Sequence, residues 1–314
     1  MVTRLRAKSP GNVTIGAPTE NALKVVLPNG ELISTASRAR KSAAGYDLTR
    51  LFVGAEGTLG VITELTLRLH GIPQAIAAGV CQFPSVHAAC DAAILAIQSG
   101  IPIARVELLD DVMIRGCNAY SKLRLVETPT LFVEFHGSNA SVVEQSELFG
   151  QIAAETGSLG FESATKPEER SRLWQARHDS FWAIQALRPG ARILVTDVCV
   201  PISRLAECVS ETKADLDKSG LIAPIVGHAG DGNFHAGVLV MMDDLDEVAR
   251  AKAFADRLAE RAISMDGTCT GEHAIGQGKK RFLDIEHGSS AVTAMRAIKS
   301  ALDPGGMMNP EKIF

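Results

Sequence analysis

A succession of strand and helix patterns between residues 78 and 302 restricts the fold more than any other feature of this sequence. Apolar runs such as 78–83 and 131–135 have the length of strands, whereas 85–98 and 245–265 have helical spacing. Gly or Pro residues mark the short connections. Helices that alternate with strands across short connections predict an α/β or α+β sandwich.

The same spacing rules predict further elements in this part of the chain. Helices are expected at 141–155, 168–187, 202–218 and 292–302, and strands at 193–200 and on both sides of a Gly-rich turn within 224–240. The order of the strands in the sheet does not follow from these patterns.

The first part of the chain has a different pattern. Asn29-Gly30 lies between two apolar runs and predicts a hairpin over 22–36. Alternation from Val61 to Leu69 predicts a strand whose odd-numbered residues share one apolar face. Gly71-Ile72-Pro73 then marks a boundary. A chain of 314 residues exceeds what one core usually serves, so we expect two domains, 1–71 and 72–314.

Composition excludes several classes of function. The net charge of -4 at pH 7 favours no polyanionic partner, so we expect no nucleic acid. No apolar run is long enough to span a membrane, and the basic first residues lack the apolar region of a secretory signal. The six cysteines form no C-x-x-C pair, which favours free thiols in a reducing, cytoplasmic compartment.

The segment 227–235 carries the strongest chemical signal. A turn centred on Asp231-Gly232 places His228 directly opposite His235, with Cβ atoms about 4.5–5.5 Å apart on one face of the sheet. Two unrelated surface histidines are the alternative. A pair of histidines brought together by a Gly-rich turn favours a metal site.

A second Gly-rich segment, 267–279, contains Glu272 and His273. In extended chain these two side chains point to opposite sides, so one can face a metal and the other a substrate. Two histidines and a glutamate suit zinc, manganese or iron, and His273 becomes a candidate general base. A salt-bridged surface pair is the alternative when this segment is taken alone.

Two weaker signals concern ligands. Arg177 lies in a largely apolar helical segment and can grip a substrate carboxylate, although an ion pair with Asp179 or a snorkelling side chain is the commoner outcome. Gly54, Gly57 and Gly60 recur just before a predicted strand. They expose backbone N–H groups that can hold a cofactor, or they are simply turn glycines; they do not form a Rossmann motif.

Together these segments resemble one family. Residues 45–64 look like the end of the flavin domain of FAD-linked oxidases of the vanillyl-alcohol-oxidase type. Four further segments are similar to D-lactate dehydrogenases of the cytochrome-linked kind: 196–205, 228–235, 267–278 and 302–310. The resemblance extends over nearly the whole chain from about Leu23.

The resemblance implies an α+β fold with two parts. The first is the C-terminal remnant of an FAD-binding domain of the p-cresol-methylhydroxylase (PCMH) type, over residues 1–71. The second, residues 72–314, is an α/β sandwich substrate (cap) domain with an antiparallel sheet, and its last roughly 45 residues return to the flavin side. The Gly-rich pyrophosphate loop and the N-terminal half of the flavin domain are missing, so a second chain that completes the domain is one expectation.

The resemblance also assigns roles to individual residues. His228, His235 and Glu272 would hold a divalent metal, Arg177 and His235 would bind the substrate, and His273 would take the hydroxyl proton. FAD would be held by a larger set, which comprises Glu56, Gly57, Thr58, Gly60, Val61, Ile62 and Asn309. The implied acceptor is cytochrome c, a quinone or a flavoprotein. A location peripheral to a membrane, mitochondrial in a eukaryote, is compatible with this family.

Two departures from the family's pattern bear on the substrate and on the loop. Phe181 and Val195 stand where related 2-hydroxyglutarate dehydrogenases have Thr and Lys, and an apolar wall cannot pair with a second carboxylate. A D-2-hydroxy monocarboxylate of the lactate type is therefore expected, with a glycolate oxidase-type subunit or an inactive binding fragment as alternatives. Ala274 replaces a usual Gly, which costs energy if its φ is positive.

Overall fold

The computed structural model describes residues 20–39, 41–164 and 166–314. The chain divides into two compact units: unit 1 combines Met1–Ile72 with Glu272–Phe314, and unit 2 is Pro73–Gly271. The first 19 residues, which belong to the predicted first domain, lie outside the described residues. Unit 1 is therefore discontinuous in sequence, with unit 2 inserted between its two segments.

The elements alternate along most of the chain. The strands are β1 (Glu20–Val26), β2 (Leu32–Ser34), β3 (Val61–Leu67), β4 (Ala75–Gln82), β5 (Ile103–Leu109), β6 (Thr130–Gly137), β7 (Gly160–Ala164), β8 (Arg192–Val195), β9 (Val198–Cys199), β10 (Ile225–His228) and β11 (Asn233–Val240). The helices are α1 (Leu48–Phe52), α2 (Val86–Gln98), α3 (Asp111–Ser121), α4 (Asn139–Glu155), α5 (Pro167–His178), α6 (Ser180–Leu187), α7 (Leu205–Ser219), α8 (Leu245–Ser264), α9 (Leu283–His287) and α10 (Ser289–Leu302). None of these described helices has both the length and the apolarity that a membrane crossing needs.

Unit 2 is a sandwich with helices on both faces of one antiparallel sheet. Its strand order is β7-β4-β6-β5-β10-β11-β8, and β9 pairs with β11 off this path. One face carries the larger apolar core under α2, α4, α7 and α8. The other face packs against α3, α5 and α6. The predicted α+β class with an antiparallel sandwich is confirmed.

Unit 1 contains a three-stranded antiparallel sheet of order β2-β1-β3. The hairpin predicted around Asn29-Gly30 is present, because β1 and β2 pair from Val26↔Leu32 outward. A small core lies against the sheet, formed by Leu23, Val25, Phe52, Ala55 and Leu59. The partly buried Leu302 of α10 packs onto it, so both segments of unit 1 contribute to this core.

Strand β3 begins at the predicted residue but ends at Leu67, two residues before the predicted end, and its burial differs from the prediction. Val61 is 53% exposed, although it was expected on an apolar face. The pairing with β1 shifts between Lys24↔Glu64 and Val25↔Ile62, which leaves Thr63 as a bulge residue. A bulge interrupts the alternation of side chains between the two faces, so a period of two does not hold along this strand.

Three elements of unit 2 were not predicted from the sequence, namely β5, α3 and β7. The helical segment predicted over 168–187 is divided at Asp179 into α5 and α6. The Ser180 hydroxyl donates to the Arg177 carbonyl at this break. Ser and Asp compete with the helix for backbone hydrogen bonds in this way, which periodicity alone does not reveal.

Candidate active site

The turn between β10 and β11 differs from the predicted one by its register. His228 pairs with Asn233 and His235 pairs with Val226, so the two histidines are diagonal neighbours and not direct partners. Residues 229–231 form a 3₁₀ turn and Gly232 follows with φ +75°, which makes a four-residue loop of 229–232. The predicted register was wrong because this turn begins one residue earlier than a loop over 230–233. The predicted shared face is confirmed, since 226 and 228 point to the same side.

The two imidazole rings lie close together on the face of the sheet that packs against α3, α5 and α6. Their centroids are 6.0 Å apart and their planes are nearly perpendicular. His228 is half-buried and His235 is buried. Burial of imidazole nitrogens without hydrogen-bond partners would destabilise the fold, but each ring has a polar partner within unit 2.

Glu107 of β5 joins His228 to Arg177. Its Oε1 lies 2.8 Å from His228 Nδ1, and its Oε2 accepts from Arg177 Nε at 2.9 Å and Nη2 at 2.8 Å. Burial alone would raise the pKa of Glu107, but the hydrogen bond from His228 and the guanidinium of Arg177 hold it below its usual range. An ionised carboxylate only accepts, so His228 donates from Nδ1 and its Nε2 carries the lone pair of the neutral ring.

His235 is oriented in the same sense by a different partner. Its Nδ1 lies 3.1 Å from the carbonyl oxygen of Thr196 and 3.5 Å from Asp197 Oδ1. A carbonyl only accepts hydrogen bonds, so Nδ1 carries a proton, and in the neutral ring Nε2 then carries the lone pair. Both histidines thus have the tautomer of a ligand that binds a metal through Nε2, with the second nitrogen held by the protein.

Asp197 is the centre of a buried polar network in unit 2. Its Oδ1 accepts from Asn233 Nδ2 at 2.9 Å, and its Oδ2 accepts from the Thr270 hydroxyl at 2.6 Å. The backbone around Thr268 bridges to Cys199, and a Cβ on Gly271 would collide with the side chain of Asn233. Gly271 therefore permits this segment to lie close to Asn233, and Glu272 is the next residue along the chain.

Unit 1 contains a cavity of about 420 Å³. It is lined by residues from both of its segments: Glu56, Glu272, His273, Ala274, Gly276, Asn309 and Lys312. The cavity brings the predicted general base His273 together with two of the predicted flavin-binding residues, Glu56 and Asn309. Lys312 was not among the predicted site residues, and a single lysine near a chain end offers no spacing signal in the sequence.

The predicted division of Glu272 and His273 to opposite sides is wrong. The chain bends at these residues, and His273 Nε2 lies 3.8 Å from Glu272 Oε1. Ala274 has φ +75° and Gly276 φ +55°, so the segment turns where an extended strand was expected. The positive φ of Ala274 is the costly outcome for a residue with a Cβ atom.

Glu56 holds this bend in place. Its carboxylate accepts from the backbone N–H groups of Ile275 and Gly276, each at 2.9 Å. The side chain of Asn309 donates to the Glu56 carbonyl at 2.5 Å. The Glu56 carboxylate and carbonyl are thus engaged by protein, so a role in flavin binding would fall to its backbone N–H.

The other predicted flavin-binding residues occupy the loop before β3 and the strand itself. Thr58 is buried and donates to the Ala55 carbonyl at 2.7 Å. A Cβ on Gly60 would lie 2.9 Å from the Val26 carbonyl oxygen, so packing on β1 already requires a glycine there. Val61 and Ile62 are exposed in unit 1, and Gly57 has φ +73°.

Phe181 and Val195, the predicted apolar wall, both lie in unit 2 and are 50% and 43% exposed. Phe181 stacks edge-to-face on Trp182 with a centroid distance of 5.3 Å. Glu107 and Asp197 are two buried acids of this unit that were not among the predicted site residues. A Glu within the apolar run 106–109 is a usable signal, because buried acids are rarely found without partners.

Comparison with solved structures identifies the type of fold. A 4-ethylphenol oxidase from Gulosibacter chungangensis is similar with a TM-score of 0.73 over 96% of this chain and 68% of that chain, at 15% sequence identity. At that identity the likeness concerns the fold alone. The fold is thus one found in PCMH-type FAD oxidases.

Residues 72–313 match the model of the family described as FAD linked oxidases, C-terminal domain. The chain belongs to this family. A relative from Danio rerio, named probable D-lactate dehydrogenase, mitochondrial, is 51% identical over 98% of this chain and 63% of its own length. One from Arabidopsis thaliana, named D-lactate dehydrogenase [cytochrome], mitochondrial, is 49% identical over 93% of this chain and 52% of its own length. The chain thus spans little more than half of these two relatives.

Proposed function

We propose that the protein oxidises a D-2-hydroxy monocarboxylate of the lactate type to the 2-oxo acid, with FAD as hydride acceptor and with a divalent metal. The observation that carries the proposal is the pair of histidines on β10 and β11. Both are locked by Nδ1 partners, Glu107 for His228 and the Thr196 carbonyl for His235, into the tautomer that binds a metal through Nε2. The names of the relatives supply the reaction class.

The donor set suits a catalytic metal site. Two imidazole nitrogens and the carboxylate of Glu272, the proposed third ligand, are chemically compatible with zinc, manganese or iron. Three protein ligands leave coordination positions for a substrate. Sequence proximity supports Glu272, because it follows Gly271 directly and Gly271 packs against Asn233 beside the Asp197 network.

Arg177, His235 and His273 have separate roles in the proposed reaction. When bound, the metal supplies a Lewis acid and FAD supplies an acceptor for the hydride of C2. Arg177 binds the carboxylate of the substrate, and His235 contacts the substrate as well as the metal. His273 takes the hydroxyl proton as the general base, since it lines the cavity of unit 1.

FAD binding is assigned to unit 1. The proposed contacts are those of the loop and strand before and within β3, together with Asn309, and they comprise Glu56, Gly57, Thr58, Gly60, Val61 and Ile62. Support comes from the cavity that Glu56 and Asn309 share with His273. A cytochrome is the proposed acceptor of the electrons, by analogy with the name of the Arabidopsis thaliana relative.

The deciding experiment is an absorbance spectrum and a metal analysis of the purified full chain, followed by turnover of D-lactate with added FAD and an artificial acceptor. We expect flavin absorbance, about one equivalent of zinc, manganese or iron, and D-lactate turnover. A colourless protein that ignores added FAD would contradict the proposal. Metal without turnover would instead identify a binding fragment, and a preference for glycolate would identify a glycolate oxidase-type subunit.

The division of roles is tested by two variants. His273→Ala should abolish turnover and leave the metal content nearly intact, since it removes the base and no proposed ligand. His228→Ala should remove the metal. Loss of metal in His273→Ala would overturn this assignment.

A further inference from the structure

We propose that Glu107 is a positioning residue that holds the metal ligand His228 and the substrate clamp Arg177 in one geometry, an inference that rests on the proposed function. The three residues come from different elements of unit 2, namely β5, β10 and α5. Arg177 lies 70 positions and His228 121 positions after Glu107 in the sequence, so only the tertiary fold brings them together.

Each carboxylate oxygen serves one partner. Oε1 lies 2.8 Å from His228 Nδ1, whereas Oε2 accepts from both Arg177 Nε and Arg177 Nη2, at 2.9 and 2.8 Å. Both Arg177 contacts use the same side edge of the planar guanidinium. The terminal edge formed by Nη1 and Nη2 is therefore the one that remains for the fork-like grip on a substrate carboxylate.

The orientation of His228 follows from the other oxygen. A carboxylate at Nδ1 fixes the proton there, so Nε2 presents its lone pair toward the metal, and it also makes the imidazole a more basic ligand. Because one rigid carboxylate carries both contacts, the subsite for the metal and the subsite for the substrate carboxylate are set by the same group. A shift of Glu107 would disturb both.

A purely structural ion pair is the competing interpretation, since Glu107 and Arg177 are both largely buried. Unit 2 contains a matched control for it. Glu134 on the neighbouring strand β6 is 6% exposed, against 8% for Glu107, and it also joins a histidine to an arginine. Its Oε1 lies 2.8 Å from His136 Nε2 and 3.6 Å from Arg105 Nε. None of these control residues belongs to the proposed site.

The experiment compares Glu107→Gln with Glu134→Gln in the full chain. Binding of Zn²⁺ and of Mn²⁺ is measured by calorimetry on metal-free protein, and circular dichroism checks that each variant is folded. We expect Glu107→Gln to weaken metal binding about 10–100-fold, the usual effect of removing the carboxylate behind a ligating histidine. Glu134→Gln should stay within about twofold of the parent. Equal affinities of the two variants would overturn the proposal.

A spectroscopic measurement on the unmodified protein keeps the test independent of the variants. The ¹⁵N resonances of His228, assigned by their loss in His228→Ala, are recorded for metal-free protein at about pH 8, where an ordinary imidazole is neutral. We expect the tautomer with the proton on Nδ1, and a mixture of tautomers in Glu107→Gln. The proton on Nε2 in the parent protein would refute the role of Glu107. If the parent binds neither metal, the proposed metal site fails, while the tautomer still decides whether Glu107 orients His228.

Discussion

Ala274 is a residue whose backbone conformation conflicts with its side chain. It adopts φ +75° in the bend that carries Glu272 and His273. An L-residue with a Cβ atom is disfavoured in this region by about 1–2 kcal/mol. We therefore predict that Ala274→Gly raises the free energy of unfolding by about 1 kcal/mol, measured as a higher midpoint in urea unfolding.

The matched control for this prediction is Gly276→Ala in the same bend. Gly276 has φ +55°, so the added methyl should lower the urea midpoint by a comparable amount. A lower urea midpoint for Ala274→Gly would show that the contacts of the Ala274 methyl group stabilise the protein more than the positive φ destabilises it.

Phe181 and Val195 lead to a prediction on substrate choice. Both are about half exposed and offer no charge to a second carboxylate. The double change Phe181→Thr with Val195→Lys should raise kcat/KM for D-2-hydroxyglutarate relative to D-lactate by about tenfold or more, because a charged partner replaces an apolar wall. The ratio is measured with FAD and an artificial acceptor.

Trp182→Ala serves as the control, because it removes an exposed aromatic neighbour of Phe181 without adding charge. It should leave the ratio of the two substrates nearly unchanged. A double variant that still prefers D-lactate to the same degree would place the distal end of the substrate elsewhere.

Single residues show why sequence reasoning reaches some contacts and misses others. As alternatives to a substrate carboxylate, the sequence offers Arg177 an ion pair with nearby Asp179 or a snorkelling side chain, whereas its partner in the structure is Glu107. Asp179 instead accepts from Gln175 Nε2. A partner 70 positions away depends on strand order, which local periodicity cannot supply.

At the scale of elements, the sequence predicts the hairpin β10–β11 but not its register. Apolar runs around a Gly-rich turn were enough to predict two paired strands with both histidines on one face. The register depended on whether the loop comprised residues 229–232 or 230–233, and Gly232 at φ +75° ends the loop as observed. The turn conformation, which the sequence leaves open, therefore decides the distance between the two rings.

The start of α3 yields a prediction on pH. Asp110 caps this helix by accepting from the Met113 N–H at 2.8 Å, and it lies 3.1 Å from Lys213 Nζ. Complete burial raises the pKa of Asp110 to about 6, although Lys213 acts in the opposite direction. The folded protein thus binds a proton at Asp110 more tightly than the unfolded chain does, so this group lowers stability as the pH rises from about 4 to about 6.

We expect Asp110→Asn to keep a capping oxygen and to remove this dependence. In the parent protein, the contribution of Asp110 to the free energy of unfolding changes by up to about 3 kcal/mol between about pH 4 and pH 6. Unfolding in urea at several pH values between about 4 and 6 measures it. Asp244→Asn, at the exposed N-cap of α8, is the control and should retain the slope of the parent. An unchanged slope in Asp110→Asn would show that Asp110 titrates normally.

At the scale of the whole molecule, the two units differ in how much core each possesses. Unit 2 contains both large apolar clusters and the complete eight-stranded sheet within one continuous segment. Unit 1 has a small cluster to which Leu302 is added from the second segment, and Lys299 Nζ donates to the Thr58 carbonyl at 2.7 Å. Its two segments therefore depend on each other.

We predict that residues 73–271 expressed alone fold with a cooperative thermal transition, whereas residues 20–72 alone do not. A continuous segment with its own core has what a domain needs, whereas a three-stranded sheet with a small core that lacks the contacts of its second segment does not. Circular dichroism melts of the two fragments measure this. A non-cooperative melt of 73–271 would show that its core is insufficient.

Because unit 2 is inserted in the sequence of unit 1, the two segments of unit 1 are synthesised at different times. Unit 2 comprises residues 73–271, so about 200 residues are synthesised between the two segments of unit 1. At about 5–20 residues per second, the first segment waits roughly 10–40 s for the second to leave the ribosome. Unit 2 can fold during this interval, while strands β1 to β3 remain without the α10 contacts that complete their core. Among the described elements, β1 to β3 are therefore the ones that chaperones and proteases can reach for longest during synthesis.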